Sequence, residues 1–109
     1  MDNGFSTGLL RSGHVTTEDE QRRQRVLRAF LDDRGALRSI PARRGKRLVV
    51  LEHLAGIFEV GIRYPEREVN DRLRAFHPDV AALRRYLVDE GFLDREPGTY
   101  WRCGGPVDV

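Results

Sequence analysis

Residues 64–102 read YPEREVNDRLRAFHPDVAALRRYLVDEGFLDREPGTYWR, and the places where this stretch must break decide the fold. Pro65 suits the first turn of a helix, where a missing N–H costs nothing. Val69, Leu73 and Phe76 follow at i, i+4 and i+7, one apolar stripe. His77-Pro78 ends that helix, because a proline pushes the residue before it out of the α region. Asp79 favours the positive end of a second helix, with Val80, Leu83 and Leu87 as its stripe and Gly91 as its left-handed exit. Phe92–Arg95 and Tyr100–Arg102 then flank Pro97-Gly98, a pair that fills the centre of a type II turn. The pattern predicts helices near 65–76 and 79–91, followed by a hairpin turning at Pro97-Gly98.

Upstream, Thr17-Glu18-Asp19-Glu20 forms a capping box, a hydroxyl three residues before a carboxylate. It opens a helix near 18–33 that carries Val26, Leu27, Phe30 and Leu31 and stops at Gly35. Leu37 to Ile40 is short, partly β-branched and halted by Pro41, so it reads as a strand at the edge of a small sheet. A third helix, near 44–58, has apolar residues around most of its circumference and belongs in the middle of the domain. Together these elements make an α+β fold of the winged helix-turn-helix kind. It has four helices and a small antiparallel sheet of the short strand plus the C-terminal hairpin. Alternation along the last strand turns Trp101 inward against Phe92 or Leu93; the alternative leaves it exposed as a platform for stacking a base. Tyr64 staples the start of its helix to the core. Residues 1–16, with three glycines and no periodicity, read as a disordered tail. Residues 17–103 form the single domain, and 104–109 a second tail.

Composition limits the functions open to such a domain. At 109 residues the chain is one domain by size. With 39% hydrophobic and 33% charged residues it reads as soluble and globular. No apolar run approaches the roughly 20 residues that cross a bilayer, and the N-terminus lacks the pattern of a secretory signal. The lone Cys103 permits no internal disulfide and points to a reducing compartment, hence to the cytoplasm. His14, His53 and His77 lie far apart, and no His/Cys group has the spacing of metal ligands. Cys103 has no neighbouring base to make it a nucleophile, and Gly104-Gly105-Pro106 lacks the Lys-Ser/Thr of a phosphate loop. We therefore expect no enzyme, no metal and no cofactor.

Charge is more informative in kind than in amount. The net charge is +2, yet eighteen of the nineteen basic residues are arginine. The planar guanidinium suits phosphate and base edges because it donates two parallel hydrogen bonds; a genome biased towards arginine codons gives the same count. On the helix near 79–91, Arg85 lies opposite the apolar stripe and Arg84 nearer the packing seam. Arg95 and Arg102 sit on the hairpin. Arg43, Arg44, Lys46 and Arg47 crowd the start of the third helix, where the backbone dipole is already positive. These eight residues are the candidate DNA contacts, with the 79–90 helix at the major groove and the 96–99 wing along the backbone. Each has a plainer role open to it. Arg84 and Arg85 can pair with Asp79, Asp89 or Glu90 at helical spacing, and the basic helix entrance can be a solvated turn. Asp79, Asp89 and Glu90 also leave that helix net −1. A protein-binding or sensing module without DNA binding is therefore the alternative. A homodimer through Val26, Leu27, Phe30 and Leu31 suits either reading.

Several of these residues carry a resemblance. Ile40-Pro41 before an Arg-Lys-Arg cluster, Tyr64-Pro65-Glu66 leading to Glu68-Val69-Asn70, and Phe76-His77 come first. Leu83-Arg84-Arg85, Gly91-Phe92-Leu93 and Tyr100-Trp101-Arg102 follow. From about Leu27 to Arg102 the chain resembles the bacterial domain-of-unknown-function family 2087. That family occurs alone or attached to helix-turn-helix modules in transcriptional regulators. The resemblance implies a compact α+β domain connected with transcription regulation, and it brings no catalytic residues.

Overall fold

The computed structural model describes residues 17–106. The tail expected over 1–16, the Thr17 hydroxyl of the capping box and the last three residues of the C-terminal tail lie outside what is described. The elements are α1 (Thr17–Phe30), α2 (Arg44–Ala55), β1 (Arg63–Pro65), α3 (Glu66–Arg74), α4 (Val80–Asp89), β2 (Leu93–Glu96) and β3 (Thr99–Arg102). Among the described residues the fold is α+β, four helices with one three-stranded antiparallel sheet of order β1-β3-β2. No helix among them is long and apolar enough to cross a membrane.

The local signals act where the sequence puts them. The Asp79 carboxylate caps α4 by accepting the Ala82 N–H at 3.1 Å. Gly91 leaves α4 at φ 80°, a left-handed exit that closes the helix without strain. Gly98 has φ 77°, so Pro97-Gly98 turns the hairpin between β2 and β3. α2 stops at Ala55 rather than 58, but its line continues as tighter turns, with the N–H groups of Gly56, Ile57 and Phe58 reaching back three residues. Pro65 is the last residue of β1 and the cap position of α3, one place earlier than expected.

Two expectations need correction. Leu37–Ile40 is not a strand. Leu37 makes a single bridge back to Leu31, across a turn in which the Asp32 carboxylate accepts the Arg34 and Ala36 N–H groups at 2.9 Å each. The Leu37 N–H is taken by the Phe76 carbonyl at 2.7 Å, so this backbone is satisfied by the α3–α4 corner and not by a sheet. The short strand of the sheet is instead β1, where Tyr64 stands opposite Tyr100. Trp101, in turn, is not the inward residue of β3. Tyr100 is 2% exposed while Trp101 is half-buried, with the Arg63 guanidinium stacked 4.3 Å from its ring centre.

α2 is the centre of the core, as its wrap of apolar residues requires. Val50, Leu51 and Leu54 are fully buried, with α1 and α4 packed against it. α3 and α4 pack on each other through Val69, Leu73, Leu83 and Leu87, and the sheet closes over them with Leu93 and Tyr100, beside Phe92 in the turn before β2. Tyr64 does staple its helix. Its ring meets Phe58 edge-on at 5.2 Å, and its hydroxyl accepts the Glu59 N–H at 2.8 Å. On α1, Val26 is buried and Leu27, Phe30 and Leu31 pack onto the same core. Leu27, Phe30 and Leu31 remain half-buried.

Candidate nucleic-acid interface

The packing of α4 sorts its side chains into three sectors. Leu83 and Leu87 point into the core, and Tyr86 and Glu90 face the start of α2. Ala81, Arg85 and Val88 border the hairpin. Between α4 and the hairpin lies a groove of about 200 Å³ lined by Arg84, Arg85, Asp89, Arg95 and Tyr100. It brings together three of the eight residues expected to contact DNA.

Those three differ in freedom. Arg84 is half-buried, donates to the Asn70 side-chain oxygen, and lies 6.0 Å from the Tyr100 ring centre. It forms part of the groove wall. Arg85 and Arg95 are exposed, and neither has a carboxylate within ion-pair distance among the described residues. Helical pairing of Arg85 with Asp89 does not occur, although both line the groove. Two solvated guanidiniums on one concave surface, one from a helix and one from a strand, can grip an anion from two sides. Asp89 beside them works against that.

The remaining candidates lie elsewhere. Arg44 is bound by Glu90, through Nη2–Oε1 at 2.6 Å and Nε–Oε2 at 2.9 Å. That bond raises the Arg44 pKa and holds the Glu90 carboxyl below its usual range. Arg47 donates to the Ala42 carbonyl at 2.9 Å and stacks 4.4 Å over the Tyr86 ring, and its buried Nε has no hydrogen-bond partner among the described residues. The entrance of α2 is therefore partly neutralised from within, and only Arg43 and Lys46 are left exposed and unpaired among the described residues. Arg102 is half-buried and donates to the Phe58 carbonyl at 3.2 Å, on the core side of the sheet. It does not join Arg85 and Arg95.

Sequence reasoning missed other arginines with structural work. Arg72 holds Glu68 at 2.6 Å, donates to the Ile57 carbonyl and lies 4.8 Å over the Tyr64 ring. The i, i+4 spacing of Glu68 and Arg72 was the available signal. At Cys103, burial first and the Asp94 charge second push the thiol pKa up. Among the described residues no group of His, Cys, Asp and Glu is placed to hold a metal ion.

A family model described as an uncharacterized protein conserved in bacteria (DUF2087) matches residues 36–102. The chain belongs to that family. The match begins at Ala36, just before the α3–α4 contact made by Leu37, and ends with β3. It thus takes in α2, α3, α4 and the sheet, and leaves α1 outside. No curated protein and no solved structure matches the chain.

Proposed function

We propose that this DUF2087 domain is a winged helix that binds duplex DNA through the groove between α4 and the hairpin, as a non-catalytic cytoplasmic regulator of transcription. The order α2-β1-α3-α4-β2-β3 with sheet order β1-β3-β2 fits the winged-helix plan, in which α4 takes the place of the recognition helix. The observation that carries the reading is the convergence of Arg85 and Arg95, exposed and unpaired among the described residues, on one groove. Arg85 would reach base edges or phosphate and Arg95 the flanking backbone.

One observation favours a second reading. Asp89 lines the same groove, and Val60 (75% exposed) and Ile62 (43% exposed) leave an apolar loop before β1 uncovered. These features suit a protein-interaction or sensing module. Fluorescence anisotropy with a labelled random duplex across a salt series separates the two. DNA binding requires the log of the association constant to fall linearly with log salt, by about 0.9 per phosphate contact. Arg85→Gln with Arg95→Gln should weaken that binding and flatten its slope; no change at low salt would defeat the DNA reading.

A further inference from the structure

A second cationic groove lies between α1 and the start of α2. It has a volume of about 290 Å³ and is formed where α1 crosses the first turn of α2. Its rim is Arg22 and Arg25 from α1 and Lys46 from α2, over a floor of Val26, Ala29 and Phe30. All three cations are exposed, and none has an ion-pair partner among the described residues. No carboxylate lines the groove. Glu52 is engaged by Arg23 at 3.2 Å and Glu90 by Arg44 at 2.6 Å, and among the described residues no ion pair joins Arg22 to Glu18 or Asp19, one turn before it on α1. The first turn of α2 adds no acidic residue. The Arg22 guanidinium reaches Gly45 in the first turn of α2, one of its terminal nitrogens lying 3.4 Å from where a side chain there would begin.

Three cations on one groove with no ion-pair partner among the described residues repel one another, and an anion bound between them relieves that repulsion. The small apolar floor fits the sugar of a sugar–phosphate chain better than a bare inorganic ion. We propose that the Arg22–Arg25–Lys46 groove is a phosphate-binding site for the nucleic-acid backbone, a grip separate from the α4 groove and indifferent to sequence. This rests on the DNA reading for the identity of the polyanion, but on different residues.

The test uses the full chain and three variants. The first is Arg22→Gln/Arg25→Gln/Lys46→Gln, the second Arg85→Gln/Arg95→Gln. The third, Arg28→Gln/Arg38→Gln/Arg67→Gln, removes the same charge from exposed arginines outside both grooves. Circular dichroism melts confirm that each is folded. Anisotropy with labelled random duplex is then read across a salt series, with labelled poly-glutamate as a second probe. The expected result is a salt slope lower by about 2–3 in the first variant, from about 0.9 per phosphate lost, and little changed in the third. An unchanged slope in the first variant while the second loses binding overturns the proposal and leaves the α4 reading standing. The reverse outcome upholds this site and removes the α4 reading. Equal losses in the first and third variants reduce the effect to net charge and overturn the site. Tighter binding of poly-glutamate than of duplex, abolished in the first variant, assigns the groove to an acidic protein partner and also overturns it. A wild-type chain that binds no duplex at low salt overturns both readings.

Discussion

Arg44 and Glu90 hold each other through two parallel hydrogen bonds, at 2.6 and 2.9 Å, across 46 residues of sequence. The pair ties the first turn of α2 to the end of α4, the helix that borders the hairpin. Arg44 is well exposed in this pair, and Glu90 is mostly covered.

The pair makes stability depend on pH in a defined direction. Glu90 has its folded pKa lowered, chiefly by the hydrogen bond from Arg44 and then by the Arg44 charge. A carboxyl of this kind contributes fully above its unfolded pKa, about 4.3, and loses its contribution as pH falls through the lower folded value. Glu90→Gln should therefore melt below the wild type at pH 7. The gap between the two melting curves should close on acidification below about pH 4. A gap that stays constant down to pH 2 would contradict the assignment.

Burial predicts unequal costs for two aromatics of the same region. Phe58 is 1% exposed, and Phe58→Ala should cost about 3–5 kcal/mol in urea denaturation. Trp101 keeps one face under Arg63 and the rest half-covered, so Trp101→Ala should cost only about 1 kcal/mol, on the scale of a surface cation–π contact with partial burial. Equal costs would mean that Trp101 is a core residue after all.

The hairpin turn offers a test confined to the backbone. Gly98 sits at φ 77° with open space where a side chain would start. Gly98→Ala should therefore cost about 1–2 kcal/mol from conformation alone. Its carbonyl accepts the Glu66 N–H at 3.0 Å, so the loss should appear in amide exchange at Glu66 as well as in the hairpin.

Asp89 gives the DNA reading a prediction of opposite sign. It is the carboxylate among the groove residues beside Arg85 and Arg95. Asp89→Asn should strengthen duplex binding about 3–10-fold at low salt, and the gain should shrink as salt screens it. A weaker complex would show that Asp89 makes a contact of its own, for example to a cytosine amine.

What could be read from the sequence were the features set by near neighbours. The stripes of α3 and α4, the break at His77-Pro78, the exit at Gly91 and the turn at Pro97-Gly98 each depend on a few adjacent residues, and each is found at its expected place within two or three positions. The exposure of Arg85 followed the same logic, since helical geometry places it opposite Leu83 and Leu87.

Tertiary structure decided everything that needed a partner from far along the chain. Leu37–Ile40 and Arg63–Pro65 are both short enough to be an edge strand. Only the second lies where it can pair with β3, while the Leu37 N–H is drawn to Phe76 instead. Arginine is alike in sequence wherever it stands, yet Arg44 found Glu90, Arg47 found Tyr86 and two carbonyls, and Arg102 found Phe58. Arg22, Arg25, Arg85 and Arg95 found no carboxylate among the described residues. The reason is physical: backbone conformation responds to local sterics, whereas a charge is neutralised by whatever the fold brings within about 4 Å of it.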